Sequence, residues 1–314
     1  MRCIQLNNLS VIYEPIEVVI KNKKDSDKKA RFIGVKRDLL YGADGDQIVS
    51  NKELMVLVAL CSMIKEDEPE LYTTSKQIFH ALTGKLYVET TDNRFMKKTL
   101  IPALTNLIAK KIVTVVAGIE DTDKIKVNTE LILSIENLLR VDKETFIAID
   151  KRELHRIMNV NKLLDKSISK ENLLSLFVAV VGSISVHDPG IAFAKFYEDS
   201  KYYKGLVCYK THETLRKITR ISSEETISDY FKLLEQMKLL YCHSFDDYIS
   251  FDDDNNPRRP RNWYARYQFK DQVNELADLW LSQTDYAIYK RKAIETTGTV
   301  LNTSDILAIV SDDS

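Results

Sequence analysis

The chain has 314 residues, 45 basic and 46 acidic side chains, and a formal net charge of −1. Its length suits two domains of roughly 100–150 residues each, and a hydrophobic content of 44% excludes a disordered chain. A balanced charge neither demands nor excludes nucleic acid; what matters is where the charges segregate.

The four cysteines, Cys3, Cys61, Cys208 and Cys242, are far apart and form no C-x-x-C pair. They read as reduced, mostly buried thiols with no structural zinc site. "MRCIQLNNLSVIYEP" lacks the long apolar stretch of a signal peptide. No apolar run approaches the ~20 residues that span a bilayer. The expectation is a soluble, cytoplasmic protein with no membrane partner.

From the N-terminus, "SVIYEPIEVVIKNKK" carries β-branched runs that predict strands or a hairpin. "KNKKDSDKKAR" (21–31) is a lysine-rich turn, either a solvated loop or a phosphate-contacting arm. The chain then states one pattern twice. "RFIGVKRDLL" (31–40) matches "TFIAIDKREL" (145–154). An apolar helix follows each: "KELMVLVALCSMI" (52–64) and "KENLLSLFVAVVGSI" (170–184). Each half next has a helix-turn-helix pattern ending in a strand, "AKKIVTVV" (109–116) or "QMKLLYCHSF" (236–245). Three matches in one order predict tandem domains. The boundaries are 1–30 for N-terminal strands and basic linker, 31–137 and 138–270 for the two domains, and 271–314 for a C-terminal helix and tail. Leu276, Leu279, Trp280 and Ala287 give that helix its apolar stripe.

In the first copy, Thr74 and Gln77 form a capping box, and Asp92 is the expected cap of "NRFMKKTLIPALTNLIAKK". Pro102 should kink that helix or begin a new one. Its exposed face carries Asn93, Arg94, Lys97, Lys98 and Asn106. Asn and Arg at the N-terminal end of a reading helix can contact adenine and guanine bidentately. A merely solvated charged face is the other reading. Lys124 and Lys126 belong to the return strand of the hairpin that follows.

In the second copy, Thr211 caps a short helix over 212–218, and Ser222 with Glu225 fits a capping box. Ile227, Tyr230, Phe231, Leu234 and Met237 mark the buried face. The exposed face carries Ser223, Glu224, Thr226, Ser228, Asp229 and Lys232. Hydroxyls suit phosphate or base edges, but net acid near phosphates costs affinity. The loop that follows ends in Arg258, Arg259, Arg261 and Arg266. It either reaches along a groove or pairs with its own acidic start.

Catalytic patterns are missing. "LTGKLY" has only a Gly-Lys of the phosphate-binding loop. The five histidines, His80, His155, His187, His212 and His243, show no metal-ligand spacing. His212 and His243 read as solvent-exposed spectators. The chain reads as a binder, not an enzyme, with no cofactor.

"RFIGVKRDLLYG…SNKELMVLVALCSMI" and "ETLRKITRISSEETISDYFKLLEQMKLL" resemble the tandem winged-helix replication initiators of plasmids and the replisome organisers of phages and plasmids from Gram-positive bacteria. The likeness covers most of 31–270 at the level of pattern. It implies an α+β, mainly helical protein of tandem winged helix-turn-helix domains. It also implies sequence-specific binding to double-stranded DNA in replication initiation, with one domain reading DNA and the other also dimerising the protein. By charge, the first would be the better reader. Two other readings stand beside it: a transcription regulator, and a protein-interaction scaffold of degenerate winged helices. Replication or transcription proteins are the further partners these readings call for.

Overall fold

The computed structural model describes residues 13–16, 32–41, 47–64, 68–119, 121–138, 146–160, 168–184, 207–245, 248, 250–251, 257–258 and 260–282. It is an α+β fold, mainly helical, with four small antiparallel sheets among the described residues. The lysine-rich stretch 21–31, Arg259, Ala287 and the tail lie outside the described residues.

The repeated "FIGVK" and "FIAID" segments form β1 (Phe32–Lys36) and β5 (Phe146–Asp150), and they pair with each other. The register sets Phe32 opposite Asp150, Gly34 opposite Ala148 and Lys36 opposite Phe146. Because Phe32 corresponds to Phe146 in the repeat, every pair is matched by its own mirror pair. The strands are therefore related by a local two-fold through Gly34 and Ala148.

The two apolar helices follow the same symmetry. α1 (Asn51–Met63) and α6 (Lys170–Ile184) pack against each other. Leu54–Leu60 and Leu173–Val180 are buried on all sides, as expected for central helices. Gly182 permits the close approach to β5: a Cβ there would lie 2.6 Å from Ile147 Cδ1. Ser50 caps α1 in a reciprocal box with Glu53, whose Oε2 accepts the Ser50 N–H at 2.7 Å.

Each central helix leads into the same succession of elements. In the first copy these are β2 (Glu70–Thr74), α2 (Ser75–Thr83), α3 (Glu89–Phe95), a wide π turn (Met96–Leu100) and α4 (Ile101–Ala109). A hairpin of β3 (Thr114–Ala117) and β4 (Glu130–Ser134) closes it, in strand order β2-β4-β3. The second copy opens with β5 and α5 (Lys151–Asn159), which runs on from it. The second copy has Cys208 bridging to Tyr264, then α7 (His212–Thr219), α8 (Glu224–Gln236) and β6 (Leu240–His243). A short ladder of β7 (Ser250–Phe251) with β8 (Pro257–Arg258) follows, and β9 (Trp263–Arg266) pairs with β6. In the first copy the last strand, β4, pairs with both β2 and β3; in the second, β9 pairs with β6 and meets the segment before the helix pair only at the Cys208–Tyr264 bridge.

One buried cluster runs through both halves. A second lies outside the β6–β9 sheet, where α9 (Lys270–Ser282) packs Val273, Leu276, Ala277 and Leu281 onto Val207, Phe245, Trp263 and Ala265. The predicted stripe of α9 is partly corrected: Leu276 is buried, but Leu279 is 41% exposed. Leu279 lies off the face that Val273, Ala277 and Leu281 share at four-residue spacing. Lys124 falls in a short 3-10 turn and Lys126 in the loop after it, not on the return strand, which begins at Glu130.

Candidate nucleic-acid interface

The helix pair of the first copy starts from the Thr74–Gln77 box, with both reciprocal hydrogen bonds made. α2 ends at Gly84, whose φ of 70° lets the chain reverse. The next helix begins earlier than expected. Val88 is its N-cap, and the Asp92 carboxylate accepts the Val88 N–H at 2.9 Å instead of capping the helix itself. Glu89 and Asp92 thus occupy the first turn, and Asn93 and Arg94 sit in the second.

The chain stays helical from α3 into α4 through the π turn, where the Ile101 N–H reaches back to the Met96 carbonyl. Pro102 has no N–H to offer and its ring needs room, so the widened turn before it accommodates both demands. Met96, Leu100, Leu104 and Leu107 point into the core. Arg94, Lys97 and Lys98 are exposed and three or four residues apart, which places them on one face. None of the three is ion-paired with a described residue. Asn106 is exposed further along. Asn93, one position round the helix from Arg94, is half-buried, and its Oδ1 is buried with no hydrogen-bond partner among the described residues. Lys124 and Lys126 are exposed, with Lys124 held 3.3 Å from Asp121. The loop between α2 and α3 exposes Leu86 (80%) beside Tyr87, whose ring packs edge-on against Phe79.

The second copy presents a different surface. Thr211 caps α7 by accepting the Thr214 N–H. α8 is capped by Ser223, not Ser222: Ser223 Oγ accepts the Thr226 N–H at 3.1 Å and lies 2.8 Å from the Thr226 hydroxyl. The cap is therefore one residue later than the expected Ser222–Glu225 box, and Glu225 is exposed in the first turn. Two of the three candidate hydroxyls, Ser223 and Thr226, are engaged in this cap. Ser228 and Asp229 are half-buried, whereas Glu224 and Lys232 are exposed. Ile227, Tyr230, Phe231, Leu234 and Met237 are buried as predicted.

Among the arginines after α8, Arg261 is exposed and Arg258 sits on β8 opposite Ser250. Arg266 does not belong to a reaching loop. It is 6% exposed, donates to the Glu153 carboxylate and to the Ala148 carbonyl, and lies over the Phe177 ring. Burial pushes the Glu153 carboxyl above its usual range, and the Arg266 guanidinium opposes that rise. In the first copy, burial likewise raises the Glu53 carboxyl. Lys110, at 2.6 Å, and Ser50 outweigh it and hold the group below its ordinary value.

His212 and His243 are structural, not spectators. His212 stacks on Phe231 and its Nε2 lies 2.8 Å from the Tyr264 hydroxyl; His243 Nδ1 lies 3.0 Å from Asn274 Oδ1. Cys61 and Cys208 are buried, which pushes their thiols up to about 12 and about 11. Among the described residues no cluster of His, Cys, Asp or Glu could hold a metal ion. No described helix is long and apolar enough to cross a membrane. The chain matches no known family model, no curated protein and no solved structure.

Proposed function

We propose that the protein binds double-stranded DNA sequence-specifically through two winged helix-turn-helix units, as the replication initiator of a plasmid or other mobile element. The observation that carries this reading is the exposed basic face of Arg94, Lys97 and Lys98 on the helix that follows a helix–turn. A helix in that place is the one that enters a major groove in helix-turn-helix proteins. Both copies follow a central helix with a helix–turn–helix and then antiparallel strands, β3 with β4 in the first and β6 with β9 in the second, which supports the winged form. Arg94 serves base edges or phosphate. Lys97, Lys98, Lys124, Lys126 and Arg261 serve phosphates.

The test is fluorescence anisotropy of the full chain with a random-sequence duplex of about 30 base pairs, three helical turns, at two salt concentrations. Binding should weaken as salt rises. Arg94→Ala with Lys98→Ala should flatten the log–log salt slope by roughly 2, about 0.9 per lost phosphate contact. No binding at low salt sinks the proposal, and an unchanged slope removes this helix from it.

A second reading is favoured by the exposed acids Glu224 and Glu225 on α8. The second unit then contacts a basic protein surface while the first holds DNA. A transcription regulator would use the same surfaces, and binding sites beside a promoter rather than repeated in an origin would identify it.

A further inference from the structure

The carbonyls at a helix C-terminus have no partner within the helix and must find one elsewhere. In this molecule the C-terminus of the first helix of each helix–turn–helix is capped by the other repeat. At the end of α2, His155 Nε2 donates to the Ala81 carbonyl at 3.0 Å, and Asn159 Nδ2 donates to the Thr83 carbonyl at 2.8 Å. Lys85, in the turn itself, donates to Asn159 Oδ1. His155 also lies directly over Gly84, where a Cβ would meet its Nδ1 at 2.8 Å. Both side chains come from α5, the segment that follows β5.

The second turn is held by the segment that follows β1. Asn51 Nδ2 donates to the Thr219 carbonyl at 3.0 Å, and the Arg220 guanidinium donates to the Gln47 carbonyl. Arg220 takes the left-handed position that Gly84 takes in the first turn, with φ of 54°. Gln47 is buried, and its amide is held by Asn51, Val49 and Ser175. Asn51 is tied in turn to Asn172. Each turn is thus held by side chains or carbonyls of the other repeat, α5 for the first and the Gln47–Asn51 segment for the second.

We propose that His155, Asn159, Gln47, Asn51 and Arg220 are positioning residues that fix the separation of the two DNA-reading helices, so that the chain accepts a two-part site of one spacing. This rests on the DNA-binding reading above. None of the five needs to touch DNA; each acts through the turn it holds, which sets where the next helix starts.

The experiment is selection from a random-sequence duplex pool by the full chain, followed by affinity measurements on the selected site. The wild type should enrich two-part sites with a single spacing. His155→Ala with Asn159→Ala should keep the half-site sequences, broaden the spacing and weaken binding to the wild-type site about tenfold. His155→Gln, which keeps a donor for Ala81, should restore the narrow spacing. A wild type that enriches half-sites without fixed spacing, or a double variant that keeps the narrow spacing, overturns the proposal. If the double variant does not fold, the wild type alone decides. Inserting about five base pairs, half a helical turn, between the selected half-sites must reduce its affinity about tenfold or more, and tolerance of the insertion overturns the clamp. If the wild type enriches no sequence at all, the DNA reading itself falls, a result distinct from enrichment with free spacing.

Discussion

In the first copy no described element covers the outer face of the three-stranded sheet, where Tyr72 is 69% and Val116 52% exposed. The second copy covers the corresponding face with α9, and Trp263 and Ala265 there are buried. The copies also differ in the helix after the turn. One is basic and carries a π turn ahead of a proline; the other is regular, capped by Ser223 and acidic at its start. Their buried ion pairs differ as well. Glu153–Arg266 is closed off from water, whereas in Glu53–Lys110 the lysine side chain is 44% exposed. One succession of elements therefore supports two chemistries. What the chain conserves between copies is the inner face, where Leu54–Leu60 and Leu173–Val180 meet. What diverges is whatever faces outward.

The contrast between the ion pairs is the sharpest to test. Glu153→Ala leaves the Arg266 guanidinium buried without its carboxylate, and should cost about 3–5 kcal/mol in denaturant unfolding. Lys110→Ala opens a partly solvated site instead and should cost about 1 kcal/mol or less. Equal losses would erase the distinction. Next come the turns. Gly84→Ala imposes both a left-handed φ and a clash with His155, and should cost about 1–3 kcal/mol, read as a lower Tm. Arg220→Gly relieves a left-handed side chain but forfeits the Gln47 bond. The two effects oppose each other and should leave stability within about 1 kcal/mol of wild type.

The two carboxylates also respond oppositely to pH. Glu53 is held below its ordinary 4.5, so its contribution is present above that value and is lost as pH falls through its folded value. Glu153 is raised, so its contribution runs the other way: it is present at low pH and declines as pH rises through its folded value. Lys110→Met should therefore flatten the fall of stability below pH 4.5, and Glu153→Gln should not. Loss of the acid slope in both variants would mean that the pairs are coupled. The smallest effect concerns the acidic helix. On the proposed DNA-binding reading, Glu224→Gln with Glu225→Gln should tighten binding by only about threefold at physiological salt, where exposed charges are screened. A much larger gain would place these acids directly against phosphates.

Local signals carried much of this architecture. The Thr74–Gln77 box, the Thr211 cap and the apolar spacing from Ile227 to Met237 each involve residues a few positions apart, and the folded chain uses them as their chemistry suggests. The misplacements have two sources. Adjacent candidates compete: Ser222 and Ser223 both satisfy a cap pattern, and one residue decides which hydroxyl meets the helix. Asp92 has the side chain of a cap, but it closes on a helix whose N-cap, Val88, lies four residues earlier. The other source is distance along the chain. Arg266 follows an arginine-rich loop, and nothing near it announces that Glu153 awaits it from the far end of the repeat. The clamps on the two turns are of the same kind, since His155 and Asn51 meet partners that no local pattern connects to them. The repeat itself was legible; that its two strands pair with each other was not.

The β1–β5 seam, symmetric about Gly34 and Ala148, has the form of an interface between two identical subunits. Between separate chains such a short seam would hold only at high concentration. Joined covalently, each strand meets the other at an effective concentration on the order of millimolar, whatever the abundance of the protein. The link also frees the halves from identity. In a true homodimer every substitution appears twice, once on each side of the axis. Here a lysine gained on one helix leaves its counterpart untouched, so the molecule can keep a two-fold frame while its two outward surfaces specialise separately.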